Sequence, residues 1–202
     1  MSPLRPPLLR HLAALLLALA APVSATAGPA AAAPALKAGV FEPAHAAPAF
    51  QLAGSDGHEL SLAHYRGKVV LMSFGFTHCA AVCPTTLATL AQARRALGPA
   101  AAAVQVLFIT VDPERDDASR LRAYLAPFDA SFVGGAGRPE VMAAMRKQYG
   151  VVAQKVPMSQ GYAVDHSSST FLIDRDGKLR ALMPYGRDAK DYVHDLKLLL
   201  AK

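Results

Sequence analysis

Lys68-Val-Val-Leu-Met-Ser-Phe-Gly-Phe76, continuing into Thr77-His-Cys-Ala-Ala-Val-Cys-Pro84, decides how the chain folds. The first part is an unbroken apolar run rich in β-branched and aromatic residues, the pattern of a strand covered on both faces. Pro84 then opens a helical pattern in which Leu87, Leu90 and Leu97 recur at helical spacing, until Gly98-Pro99 stops it. Val104-Gln-Val-Leu-Phe-Ile-Thr-Val111 reads as a second buried strand, ended by Asp112-Pro113. Strand, helix and strand in this order set the core of an α/β fold.

Reading outward adds the remaining elements. Upstream, Phe50 to Leu62 alternates around Gly54-Ser-Asp-Gly57 and predicts a hairpin. Downstream, Asp116 or Asp117 can cap a helix carrying Leu121, Tyr124 and Leu125. Pro139 suits the first turn of another helix, with Val141, Met145 and Tyr149 on one face. Thr170 to Ile173, the turn Asp174-Arg-Asp-Gly177 and Leu179 to Met183 make a closing hairpin. Asp188 then caps a last helix with Tyr192, Val193, Leu196, Leu199 and Leu200 inside. The order predicts a central mixed β-sheet flanked by helices, with an N-terminal hairpin, as in thioredoxin-like folds. This domain occupies residues 47–202.

The 202 residues hold one ordinary core plus a tail. Arg5 and Arg10 precede an apolar stretch of 12 residues, Leu12 to Val23, and no acid occurs before Glu42. Small residues follow, with Val23-Ser-Ala25 or Ala25-Thr-Ala27 fitting a cleavage site. Residues 1–27 therefore read as a signal peptide, or as an uncleaved N-terminal membrane anchor if Leu8 and Leu9 lengthen the helix towards the ~20 residues a bilayer needs. Either way the domain is exported, to the periplasm or to the outer face of the inner membrane. Residues 28–46, mostly Ala and Pro, read as a disordered linker. The net charge of +6 is spread among acids, as in Asp112-Pro-Glu-Arg-Asp-Asp117, which excludes a nucleic-acid stripe.

Cys79 and Cys83 are the only cysteines. They follow the C-terminal end of a buried strand and open a helix, where free N–H groups and the helix dipole lower a thiol pKa. Their spacing puts both sulfurs on one side of a helical turn. They can close a disulfide or face one metal ion. A stapling disulfide across so short a loop removes little entropy from the unfolded chain. Thioredoxin-type redox motifs use Cys-x-x-Cys, and the extra residue here suits two thiolates around a soft ion, which needs a third ligand. Among seven histidines, His11, His45, His58, His64 and His194 read as bystanders. His78 adjoins Cys79 and is one candidate. His166, in Gly161-Tyr-Ala-Val-Asp-His-Ser-Ser-Ser169, is the other, because the loop entering the next strand faces the redox helix in such sheets; the alternative is a surface histidine capped by Asp165.

Three segments together resemble the Sco/SenC family: Phe74-Gly-Phe-Thr-His-Cys-Ala-Ala-Val-Cys-Pro84, Thr110-Val-Asp-Pro-Glu-Arg-Asp116, and Val164-Asp-His-Ser with Phe171-Leu-Ile-Asp-Arg-Asp-Gly177. The resemblance runs from about residue 48 to the end of the chain. It implies copper bound by Cys79, Cys83 and His166. It also implies delivery to the copper A centre of cytochrome c oxidase, whose copper A-bearing subunit is then the partner, alongside other copper chaperones or thiol reductases. Ala80 departs from the proline common in the family, without removing a ligand. Asp112 matches a family acid close to the site, and Met158 offers a thioether that reads more simply as gap filling. The rival function is a thiol–disulfide oxidoreductase in which Cys79 and Cys83 form a redox-active disulfide.

Overall fold

The computed structural model describes residues 35–201. In chain order these hold β1 (Gly39–Ala46), β2 (Leu52–Gly54), β3 (Glu59–Leu60), β4 (Val69–Gly75), α1 (Val82–Ala96), β5 (Val104–Thr110) and α2 (Ala118–Leu125). Then come β6 (Val133–Ala136), α3 (Pro139–Tyr149), β7 (Ala153–Pro157), β8 (Tyr162–His166), β9 (Thr170–Ile173), β10 (Lys178–Met183) and α4 (Ala189–Leu200). The expected signal peptide or anchor at 1–27, and the linker as far as residue 34, lie outside the described residues. Among the described residues no helix is long and apolar enough to cross a membrane.

All seven residues of β4 are buried, as are all seven of β5. The two strands pair in parallel from Val69↔Val104 to Gly75↔Thr110, so their C-terminal ends reach the same edge of the sheet. That edge is where the loops carrying Cys79 and Asp112 begin. Alternation along the pleat sends Val69 and Leu71 to one face and Val70, Met72 and Phe74 to the other. The first face packs α1 and α4, with Leu121 and Leu125 of α2; the second packs Met142, Met145 and Tyr149 of α3. Each such fully buried aliphatic or aromatic side chain contributes about 1.5–3 kcal/mol relative to exposure. The full sheet runs β1-β10-β9-β4-β5-β6-β2-β3, with β9, β10, β1, β2 and β3 joined antiparallel to their neighbours. The mixed sheet, the flanking helices and the hairpin near residues 50–62 are therefore as the sequence predicts.

One expectation needs correcting. Within the proposed linker 28–46, residues Gly39–Ala46 are not disordered but form the edge strand β1, paired antiparallel with β10 from Gly39↔Leu182 to Ala46↔Lys178. The pairing is through the backbone, and of the eight side chains only Phe41 is partly buried, against the core, so the segment's poverty in apolar residues does not prevent it. Without β1, the N–H and C=O groups of β10 would form an open edge. The strand is also tied at its start: the buried carboxylate of Asp195 on α4 accepts the N–H groups of Lys37 at 2.7 Å and Ala38 at 2.9 Å. Smaller shifts concern helix ends. The first helix starts at Val82, not Pro84, which places Cys83 inside its first turn. Asp117 rather than Asp116 caps α2, accepting the Arg120 N–H.

Candidate metal centre

Beyond Gly75 the chain turns sharply, and Cys79 N–H donates to the Phe76 carbonyl at 3.2 Å. The turn is pinned from a distance by Asp116. Its buried carboxylate accepts Thr77 N–H at 3.0 Å, Thr77 Oγ1–H at 2.6 Å and Thr110 Oγ1–H at 2.7 Å. The next helix has no side-chain cap from Ala81. Cys79 takes that role: Cys83 N–H donates to Cys79 Sγ at 3.3 Å. An orphan helix donor thus stabilises negative charge on the sulfur.

The two thiols differ sharply. Both are free. Burial pushes the Cys79 thiol up, but hydrogen bonds from the Cys83 N–H and thiol and from Ala81 and Val82 outweigh it and hold Cys79 below the ordinary thiol range. Cys83 is 3% exposed. Its burial drives its pKa well above that range against the lowering effect of the Phe76 hydrogen bond, and the hydrogen bond to Cys79 and the nearby Cys79 and Asp116 charges add to the rise. Behind Cys83 only about 10 Å³ of free space remains, among Ser73, Phe74, Val82, Thr86, Phe108, His166 and Ser168. The accessible side of the site is the Cys79 side.

His166 ends β8, and its Nε2 lies 3.9 Å from Cys83 Sγ. Nδ1 lies 2.8 Å from the Ser167 carbonyl, which can only accept, so in the neutral imidazole Nδ1 carries the proton and Nε2 keeps its lone pair. The Phe76 ring meets the imidazole edge-on at 5.8 Å. Typical metal–sulfur and metal–nitrogen bonds of about 2.3 and 2.0 Å, at angles of about 110–130°, separate the two donors by about 3.5–3.9 Å. The observed pair fits one ion between them. Among the described residues no set of three His, Cys, Asp or Glu side chains is already drawn around a single point. Cys83 and His166 are thus the pair already at metal-ligand separation, while Cys79 sits partly exposed on the turn before α1, its sulfur accepting the Cys83 N–H.

The other candidates point elsewhere. His78 is exposed and its Nε2 accepts from Arg120 Nη2 at 3.2 Å, away from the thiols. His58 and His64 are exposed, His194 faces Asp195 at 2.9 Å, and His45 lies on β1 against Phe41. His11 is outside the described residues. Met158 is 61% exposed in the turn between β7 and β8, so it fills no gap. Asp112 is buried near the site, where it accepts from Arg115 Nε and from Tyr162 OH at 2.8 Å. Sequence reasoning considered Asp116 only as a helix cap, and it passed over Gly75, Arg115 and Tyr162. The segment Asp112-Pro-Glu-Arg-Asp116 carried the available signal, since two acids at that spacing just after a buried strand can both turn inward.

The family model described as SCO1/SenC matches residues 40–201. The chain belongs to the SCO1/SenC family. Among SCO1/SenC relatives, the mouse protein named SCO2 homolog, mitochondrial, is 36% identical over 156 residues, which is 75% of this chain and 61% of the mouse protein. This chain thus matches about three-fifths of that relative's length. Bradyrhizobium japonicum ScoI, solved with copper bound, superposes with a TM-score of 0.72 at 36% identity, over 77% of this chain and 99% of that one. Yeast Sco1, also solved with copper bound, gives a TM-score of 0.70 at 29% identity, over 78% and 90% of the two chains. The thioredoxin-like SCO1/SenC fold is therefore the fold of this protein.

Proposed function

We propose that this protein is a copper metallochaperone that holds copper on Cys79, Cys83 and His166 and delivers it to the copper A site of cytochrome c oxidase. One observation carries the reading: a lone pair on His166 Nε2 held 3.9 Å from a buried thiol, with a second thiol of lowered pKa at the same helix N-terminus. Two thiolates and a neutral imidazole form a soft donor set that favours copper over hard cations. The copper-bound relatives support the same reading. Copper is cargo here, and the chain's residues do the handling. Cys79 yields its proton first; Cys83 yields its proton only against a compensating cation. Loading therefore releases protons, and affinity falls on acidification. Half-exposed Cys79 is the ligand an acceptor's thiolates reach first, while packed Cys83 stays until last.

Joining Cys79 to Cys83 in a disulfide sends two protons and two electrons to a partner disulfide and consumes both thiolate ligands. Redox state would then gate loading, and thiol reductases would reset the site. The N-terminal segment supports export to the periplasm, with the domain free or held at the inner membrane through residues 1–27.

The unequal thiols favour a second reading, a thiol–disulfide oxidoreductase. Cys79 thiolate would attack a partner's disulfide, forming a mixed disulfide and releasing one partner thiolate; Cys83, giving up its proton, would then attack the Cys79 sulfur and release the second partner thiolate. The pair ends oxidised and the partner's copper-ligand cysteines end reduced. His166→Ala separates the two. The chaperone reading expects copper affinity to fall severely, disulfide exchange to continue, and oxidase maturation to fail at low copper. Normal oxidase activity in that variant at low copper would leave the oxidoreductase as the better account.

A further inference from the structure

We propose that Arg115 is a positioning residue that docks the hairpin bearing His166 and so sets how firmly the centre holds copper. The inference rests on the copper reading above for its second half only. β7 and β8 pair with each other and not with the eight-stranded sheet. Their placement therefore depends on side chains rather than on ladder hydrogen bonds. Val164 of β8 contributes apolar packing to the core, and the loop after β5 supplies the polar contacts. Arg115 Nη1 donates to the Tyr162 carbonyl at 3.0 Å, and its guanidinium carbon lies 3.8 Å over the Tyr162 ring. Arg115 Nε donates to Asp112, whose other oxygen accepts the Tyr162 hydroxyl at 2.8 Å. The fork, the stack and the carboxylate form a closed cycle around Tyr162.

Tyr162 and His166 are the first and last residues of β8, four apart and so on one face of the strand. Clamping Tyr162 orients the face that carries His166. Arg115 also lies 5.8 Å from the Phe76 ring, which meets the His166 imidazole edge-on. Lys155 also lies 4.5 Å over the Tyr162 ring and Glu114 accepts the Tyr162 hydroxyl at 3.4 Å, but this pair is about half exposed, where such contacts contribute little. Lysine cannot replace Arg115, because a single ammonium does not reach carboxylate, carbonyl and ring face together. With the clamp gone, the hairpin samples arrangements in which Nε2 leaves Cys83, and apparent affinity falls with the fraction still docked.

The test uses the full chain in its reduced, copper-free form. Arg115→Gln and Arg115→Lys are compared with the parent and with a Lys190→Gln control, which removes an exposed ion pair with Asp188 at the start of α4, by amide hydrogen exchange. Competition with a copper(I) chelator gives the affinities. For both Arg115 variants we expect exchange across 162–166 to quicken about tenfold with β4 and β5 unchanged, and copper affinity to fall about tenfold. Lys190→Gln stays within about twofold on both. Tyr162→Phe, which removes one hydroxyl only, shifts both in the same direction by less and serves if the Arg115 variants fail to fold. Parent-like exchange in the hairpin overturns the proposal, as does faster exchange spread evenly over β4 and β5 with unchanged affinity. A parent that binds no copper refutes the copper reading instead, and the exchange arm still decides the docking.

Discussion

Gly75→Ala is the substitution whose consequence follows most directly from the packing. A Cβ on Gly75 would lie 2.6 Å from Cε2 and Cζ of Phe108 and 2.8 Å from Cys83 Sγ. Ordinary contacts at such atoms are about 3.5–4.0 Å, so something must move by about 1 Å. Neither neighbour gives easily: Phe108 is 1% exposed in the centre of β5, and Cys83 is 3% exposed in the first turn of α1. Overpacking of this kind costs about 1–3 kcal/mol. For a domain of this size, 2 kcal/mol corresponds to a fall of roughly 4–8 °C in Tm. The ring is locked among core residues, so the sulfur yields more, which spoils its 3.9 Å approach to His166. Thermal unfolding of the reduced protein and copper competition are the assays. The expected outcome is a Tm lower by several degrees together with at least a tenfold loss of copper affinity. Gly39→Ala, whose Cβ meets only Leu182 O at 3.7 Å, should change neither. Wild-type stability and affinity in Gly75→Ala would refute the packing argument.

Alkylation with iodoacetamide should modify Cys79 well before Cys83, and the Cys79 rate should fall as pH drops through its lowered pKa, read by mass spectrometry of quenched samples. The stability consequence has opposite signs for the two. Lowered Cys79 adds stability that is present above the ordinary thiol pKa and is lost as pH falls through its folded value. Raised Cys83 adds stability present below the ordinary pKa and lost as pH climbs above it, so Cys83→Ala should flatten the alkaline limb of a denaturation-versus-pH curve. Asp195→Ala should free the start of β1, at a cost of about 2–3 kcal/mol for the two N–H groups left without their carboxylate. Hydrogen exchange at Lys37 and Ala38 reports it.

The frame was legible wherever side-chain burial sets the pattern. The runs 68–76 and 104–111 read as covered strands because both faces are packed, and α1, α3 and α4 read as helices because one face is. β6 escaped notice because Val133-Gly-Gly-Ala136 has weak strand propensity. It needs a glycine where a Cβ on Gly134 would come within 2.7 Å of Leu121 Cβ. β1 escaped because seven of its eight side chains are exposed and leave no alternation to read. The hairpin β7–β8 escaped because four of the five β7 side chains are exposed and show no alternation. At the site, Cys79 and Cys83 stand out by donor type, His166 is singled out from the other histidines only by the family resemblance, and the structure brings Cys83 and His166 together across 83 residues of chain. Asp116 and Arg115 do not announce themselves, since acids and arginines are common at loops. Their roles arise from contacts with Thr77, 39 residues earlier, and with Tyr162, 47 residues later.

Copper titration of the reduced protein, followed by metal analysis after desalting, tests the central claim most directly. The account predicts one copper per chain, sulfur-to-copper charge-transfer absorption for copper(II), and no binding after the Cys79–Cys83 pair is oxidised. Stoichiometric copper retained by a Cys79→Ser, Cys83→Ser double variant, or no copper on the reduced parent, would contradict it.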